Sequence, residues 1–157
     1  MPTILIVEDT DYCRDALEVA LAGVDGTKLE TVATAEAALR RIGTGGVCAL
    51  VTDLHLTERP NGAASMDGFE LIAAVRSHPR LAQLPILVIS GDSDPGTPDR
   101  LAGLGTDAFF TKPYSPSAVR NKLEQLIHEY IREYTAFGFA TDPGSGSEPG
   151  KIKSRQR

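Results

Sequence analysis

Val47-Cys48-Ala49-Leu50-Val51-Thr52-Asp53 is a run of apolar and β-branched residues that stops abruptly at a carboxylate. Gly43-Thr44-Gly45-Gly46 precedes it, so the run reads as a short strand buried on both faces. Three more runs share its habit. Ile4-Leu5-Ile6-Val7 ends in Glu8-Asp9, Ile86-Leu87-Val88-Ile89 in Ser90-Gly91, and Ala108-Phe109-Phe110-Thr111 in Lys112-Pro113. In an open parallel sheet the carboxyl ends of the strands share one edge, and ligands bind there. Three carboxylates, a hydroxyl and an ammonium would then occupy a small volume. Such a set suits a divalent metal and a phosphoryl group better than it suits a core.

Between these runs the chain alternates strand with helix. Residues 11–22 carry Ala16, Leu17, Val19, Ala20 and Leu21 on a helical spacing, with Gly23 as the expected stop. Residues 29–33 read as a strand of mixed polarity, suited to a sheet edge. Thr34 can cap a helix over 35–42, and a further helix over about 68–77 ends before His78-Pro79. Pro98 and Gly105 bracket a short helix near 99–104. Ser115 and Pro116 open a long final helix. Five βα repeats with short links call for right-handed crossovers and helices on both faces. The expected fold is α/β: a flavodoxin-like, doubly wound (βα)5 unit with a five-stranded parallel sheet in the order 2-1-3-4-5.

At 157 residues the chain can bury a core without disulfide or metal staples. Its net charge of −5 is uneven. Residues 140–157 hold four basic and two acidic side chains, +2, which leaves −7 on the first 139. An acidic body argues against a nucleic-acid surface. No apolar run reaches the length of a membrane span, and Met1-Pro2-Thr3-Ile4 lacks the basic start of a secretory signal. Cys13 and Cys48 have neither zinc spacing nor a disulfide framework. A cytoplasmic protein with neither nucleic-acid nor membrane partners is the expectation.

The residues now quoted carry a family resemblance. Glu8-Asp9, Asp53-Leu54, Met66-Asp67-Gly68-Phe69-Glu70-Leu71, Ser90-Gly91 and Gly105-Thr106-Asp107-Ala108-Phe109-Phe110-Thr111-Lys112-Pro113 appear in order on the right elements. Over about residues 2 to 130 the chain resembles the receiver domain of two-component response regulators. The resemblance implies that Asp53 is the phosphoacceptor and that Mg2+ is the cofactor. Asp9 would bind the metal directly, Glu8 largely through water, and the main-chain carbonyl of His55 would complete the set. Crowded carboxylates raise one another's pKa unless a cation joins them, so the physics agrees. Lys112 would meet a phosphoryl oxygen as a compact charge, with Pro113 at the position of the family's cis-proline. Ser90 would donate its hydroxyl, and Gly91 would let a backbone amide approach. Ser90 and Phe109 would form the switch pair. Phe109 lacks the hydroxyl of the tyrosine common at that position.

Two features depart from a minimal receiver. Asp53 and Ser90 stand 37 residues apart, more than usual, and the excess lies in the turn-rich link between Leu54 and Met66. The final helix also runs long. Its spacing continues through Tyr130, Ile131 and Tyr134, with Phe137 and Phe139 beyond. Past about His128 those side chains would be exposed, which favours a homodimer or a partner contact through the last helix. The expected layout is a receiver domain over 1–135 and a flexible, disordered tail over 136–157.

No output domain fits after residue 139, so signalling would run through protein contact. The implied partners are a histidine kinase or histidine-phosphotransfer protein as donor, and a downstream protein target. The chain would catalyse its own phosphorylation and dephosphorylation without being a turnover enzyme. Two other readings stay open. One is an aspartate-nucleophile phosphohydrolase, which would place a second acid where this chain has His55. The other is a receiver used as an unphosphorylated docking module.

Overall fold

The computed structural model of the chain describes residues 1–56 and 66–136. Within them the strands are β1 (Thr3–Val7), β2 (Lys28–Val32), β3 (Val47–Thr52), β4 (Ile86–Ser90) and β5 (Ala108–Thr111). The helices are α1 (Asp11–Leu21), α2 (Ala35–Gly43), α3 (Gly68–Arg76), α4 (Thr97–Gly103) and α5 (Pro116–Ala136). A 3-10 turn at Pro79–Leu81 is the one short helix that the sequence reading did not contain. All strands pair in parallel in the order β2-β1-β3-β4-β5, as expected.

The apolar runs are buried on both faces because helices cover both. Leu5, Val7, Leu50, Ile86 and Val88 face a core shared with α2, α3 and Leu101 of α4. Ile4, Ile6, Val51, Leu87 and Ile89 face the other core, beneath α1 and α5. Alternation slips once. The β1–β3 register jumps between Thr3 and Ile4, so Cys48 and Ala49 join the same core in succession. β2 lies at the sheet edge and is only partly buried, which accounts for its mixed polarity.

Several boundaries carry the expected chemistry. The Thr34 hydroxyl accepts from the Ala37 amide, and the Ser115 hydroxyl from that of Ala118. At the start of α3 Asp67 and Glu70 add a reciprocal capping box that was not among the expected caps. Gly23 is a correction. Its predecessor Ala22 closes α1 in the right-handed region, and the left-handed turn glycine is Gly26, at φ 75°.

The end of α5 is the second correction. Tyr130 is 7% exposed and packs into the core on the α2/α3/α4 side, and Ile131 is partly buried against the α1/α5 core. The helix past His128 is therefore tied into the domain, and the exposure that favoured self-association is absent at both residues. The side chain of Tyr134, the link over 57–65, and the tail from 137 with Phe137 and Phe139 lie outside the described residues.

Candidate functional site

The strand order sets β3 beside β1 on one side and β4 on the other, so the ends of all three converge. Glu8 follows β1, its amide bonded to the Val32 carbonyl at 3.1 Å. Asp53 follows β3, its amide bonded to the Val7 carbonyl at 3.3 Å. Lys112 follows β5, its amide bonded to the Ser90 carbonyl at 2.9 Å. The backbone ladder thus runs one residue past each strand and delivers the polar side chains to a common edge.

Three of the expected residues meet directly. The Lys112 ammonium donates to Asp53 Oδ2 at 2.8 Å and to Glu8 Oε1 at 3.2 Å. Asp53 Oδ1 accepts from the Leu54 amide at 2.6 Å and the His55 amide at 3.2 Å. Glu8 Oε2 accepts from the Thr10 amide at 3.2 Å. Glu8 is 1% exposed and Asp53 8%. Burial pushes the Glu8 carboxyl above its usual range, with the Asp53 charge adding and Lys112 opposing. Burial alone would weaken the Lys112 ammonium, but its hydrogen bonds and attraction to Asp53 and Glu8 outweigh that and raise it.

The remaining expected residues are placed less directly. Asp9 is partly buried, and its Oδ1 lies 3.5 Å from the Thr10 hydroxyl. Ser90 is fully buried and its hydroxyl accepts from the Asp92 amide at 3.3 Å. Phe109 is partly buried against the α2/α3/α4 core, paired with Val88 in the sheet. The Lys112-Pro113 peptide is cis. Gly91 has open space where a Cβ would stand, so nothing crowds its backbone.

Gly68 has a steric reason that its motif alone did not reveal. A Cβ there would come within 2.2 Å of the Asp53 carbonyl oxygen and 2.7 Å of Leu54 Cα. Its amide also donates to the Leu54 carbonyl at 2.9 Å. The start of α3 therefore rests directly on the backbone of the candidate phosphoacceptor.

Asp92 escaped the sequence reading, although an acid two residues after Ser90 was a visible signal. Its Oδ1 accepts from the Asp94 amide at 2.7 Å and the Thr97 hydroxyl at 2.9 Å, and its Oδ2 meets His55 Nε2 at 3.0 Å. Those bonds, the Asp94 amide foremost, hold its carboxyl below the usual range. The His55 ring is thus engaged by the loop that leaves β4.

Glu8 and Asp53 set two buried carboxylates around the Lys112 ammonium that they share. Hard oxygen donors of this kind fit magnesium, which keeps several waters and needs no all-protein cage. Among the described residues no group of three or more His, Cys, Asp or Glu side chains is placed to hold a metal ion by itself. No helix among them is long and apolar enough to cross a membrane.

The parallel sheet in this order carries two buried carboxylates bridged by a lysine at its carboxyl edge. The family model of the response regulator receiver domain matches residues 4–124, and the chain belongs to that family. It is a receiver domain of two-component response regulators, a class of signalling proteins. The transcriptional regulatory protein GltR of Pseudomonas aeruginosa is 29% identical over 127 residues, covering 80% of this chain and 48% of the relative. The chemotaxis protein CheY of the same organism is 26% identical over 124 residues, covering 79% of this chain and 94% of the relative. The chain spans about half the length of GltR and of the regulator AfsQ1 of Streptomyces coelicolor, at 48% and 55%. The crystal structure of a putative response regulator from Chloroflexus aurantiacus J-10-fl matches with a TM-score of 0.69 at 29% identity, over 82% of this chain and 99% of that one. A CheY-like receiver from Methanospirillum hungatei JF-1 shares the fold with a TM-score of 0.71 at 22% identity, over 85% and 98%.

Proposed function

We propose that Asp53 accepts a phosphoryl group from a phosphohistidine on a histidine kinase or histidine-phosphotransfer protein. One observation carries the reading: the buried Asp53 carboxylate is held at both oxygens, by Lys112 on one and by two backbone amides on the other. An Asp53 oxygen attacks phosphorus, the bond to the donor nitrogen breaks, and its electron pair returns to the imidazole. Little covalent work falls to the protein, so positioning and charge neutralisation dominate. Lys112 neutralises charge at the acceptor carboxylate, and the Ser90 hydroxyl donates to a phosphoryl oxygen. Glu8, Asp9, Asp53 and the His55 carbonyl would hold a magnesium ion, which supplies charge neutralisation to the phosphoryl oxygens. The same residues release the group by hydrolysis, so the chain promotes its own phosphorylation and dephosphorylation without turnover of an external substrate.

The signal passes through protein contact in the cytoplasm, to a downstream target that reads a surface altered by phosphorylation. Ser90 and Phe109 act as the switch, since one ends β4 and the other lies partly buried on neighbouring β5. Tyr12 and Val19 support a protein donor: they stand 81% and 79% exposed on α1, which starts beside Glu8 and Asp9. A phosphohydrolase would need an acid at position 55, where this chain has a histidine committed to Asp92. The test is incubation with a small acyl-phosphate donor and magnesium, read by intact mass. Asp53 should gain one base-labile phosphoryl group and the Asp53→Asn variant none. An equal adduct on the variant would remove the assignment, and so would none on the unmodified chain.

A further inference from the structure

The backbone of Leu54 serves the candidate site in two directions. Its amide donates to Asp53 Oδ1 at 2.6 Å, and its carbonyl accepts from the Gly68 amide at 2.9 Å. The acceptor carboxylate is therefore joined, through one residue, to the first turn of α3. A Cβ on Gly68 would stand 2.2 Å from the Asp53 carbonyl oxygen, so that turn already rests against the acceptor backbone. Whatever fixes the turn bears on where the carboxylate points.

Met66 stands 13 residues after Asp53 and two before Gly68. A link of that length closes at small entropic cost but leaves its far end many positions to choose from. A contact from outside the link sets that end. The Met66 amide donates to Glu36 Oε2 at 3.0 Å, across 30 residues of sequence. Glu36 lies in the first turn of α2, where the Thr34 cap on the Ala37 amide and the buried Ala35 and Ala38 restrain the backbone. Met66 also packs against the core that α2 and α3 share. A carboxylate that accepts from a backbone amide makes a stronger tie than a neutral pair, and this one is partly buried.

We propose that Glu36 is a positioning residue for phosphoryl acceptance at Asp53, acting by pinning the Met66 amide at the entry to α3. The inference rests on Asp53 being the phosphoacceptor. Glu36 itself touches no reacting atom. It holds Met66, which leads in two residues to Gly68; Gly68 holds the Leu54 carbonyl, and the Leu54 amide orients Asp53 Oδ1. Attack on phosphorus needs the carboxylate oxygen in line with the breaking bond, and small misplacements there are costly. Without the pin the first turn of α3 takes up more positions, and the aligned fraction of Asp53 falls. Glu36→Ala removes the acceptor. Glu36→Gln keeps an Oε1 acceptor at the same reach.

The experiment compares the full chain with both variants, in magnesium and acetyl phosphate, well below each melting transition. An Asp53 oxygen bonds to phosphorus, the bond from phosphorus to the donor oxygen breaks, and its electron pair leaves with acetate. Rapid quench and intact mass follow the base-labile adduct, and deuterium exchange of the Met66 amide is followed by NMR without donor. Glu36→Ala should load about fivefold more slowly, the factor that one hydrogen bond of ordinary net strength supplies. Its Met66 amide should lose protection. Glu36→Gln should keep that amide protected and recover most of the rate. A merely structural loss moves neither rate, since every chain is folded at the measuring temperature.

Three results would overturn the pin while the adduct itself persists. One is a Met66 amide that exchanges as freely in the parent as in Glu36→Ala. Another is loading of Glu36→Ala at the parent rate. The third is Glu36→Gln as slow as Glu36→Ala although its Met66 amide stays protected. Failure of the parent chain to load would instead defeat the Asp53 assignment beneath it.

Discussion

Glu8 sits 1% exposed and shares the Lys112 ammonium with Asp53, so one positive charge serves two buried carboxylates. Its carboxyl is raised above the usual 4.5, chiefly by burial. A raised carboxyl binds its proton more tightly in the folded state. Between the unfolded and folded pKa values the folded protein therefore holds more protons, and stability falls as pH rises through that interval. Above it the cost of the buried charge is fully felt. Glu8→Gln should then melt higher than the parent chain at pH 8 in the absence of divalent metal, by about 1 kcal/mol, as is usual when a strained site is relaxed. The gap should narrow as pH falls toward and below 4.5, as the raised carboxyl of the parent's Glu8 takes up its proton. Calorimetry at both pH values checks this, and a gap independent of pH would remove the electrostatic explanation. The residue types of the site were legible in sequence because each stands at the end of an apolar run. The pairing of Lys112 with both acids was not, because side-chain direction depends on neighbouring strands.

At the scale of single elements, α3 is placed by two devices. The Asp67–Glu70 capping box closes its first turn, and Gly68 allows that turn to rest on the Asp53–Leu54 backbone. Gly68→Ala forces a Cβ to 2.2 Å from a carbonyl oxygen, and the obstruction is backbone that cannot rotate aside. Overpacking of this kind costs about 1–3 kcal/mol. Chemical denaturation should show that loss, and the Asp53 adduct should form more slowly because its carbonyl must shift. Loss of stability with an unchanged loading rate would mean that α3 alone gives way. Helix starts were well marked in the sequence at Thr34, Ser115 and Pro116, where a cap or a proline acts on its own turn. The end of α1 was less clear. Gly23 had the right composition, but the chain takes its left-handed turn at Gly26.

Across the whole molecule, α5 is the element whose role changed most between expectation and structure. Its first part packs on the sheet through Val119, Leu123 and Ile127, and Tyr130 then enters the core on the opposite side of the sheet. A chain ending at His128 would lose that anchor. Tyr130→Ala should cost about 3 kcal/mol, in the range for removing a buried aromatic side chain. A chain cut at His128 should likewise unfold at lower denaturant, without needing any change in oligomeric state. Size-exclusion alongside urea unfolding distinguishes the outcomes. A truncated chain of unaltered stability would contradict the anchoring role.

The linear chain by itself determined the βα alternation, the two-faced burial of the sheet and the residue types gathered at its carboxyl edge. Each of these follows from local signals: apolar runs, caps, turn residues and the handedness that short crossovers impose. Only the tertiary structure decided that His55 reaches Asp92, that Gly68 must lack a side chain, and that Tyr130 belongs to the core. Those are contacts between segments distant in sequence. Spacing along the chain does not encode them, because they depend on how loops and helix ends pack once the sheet has formed.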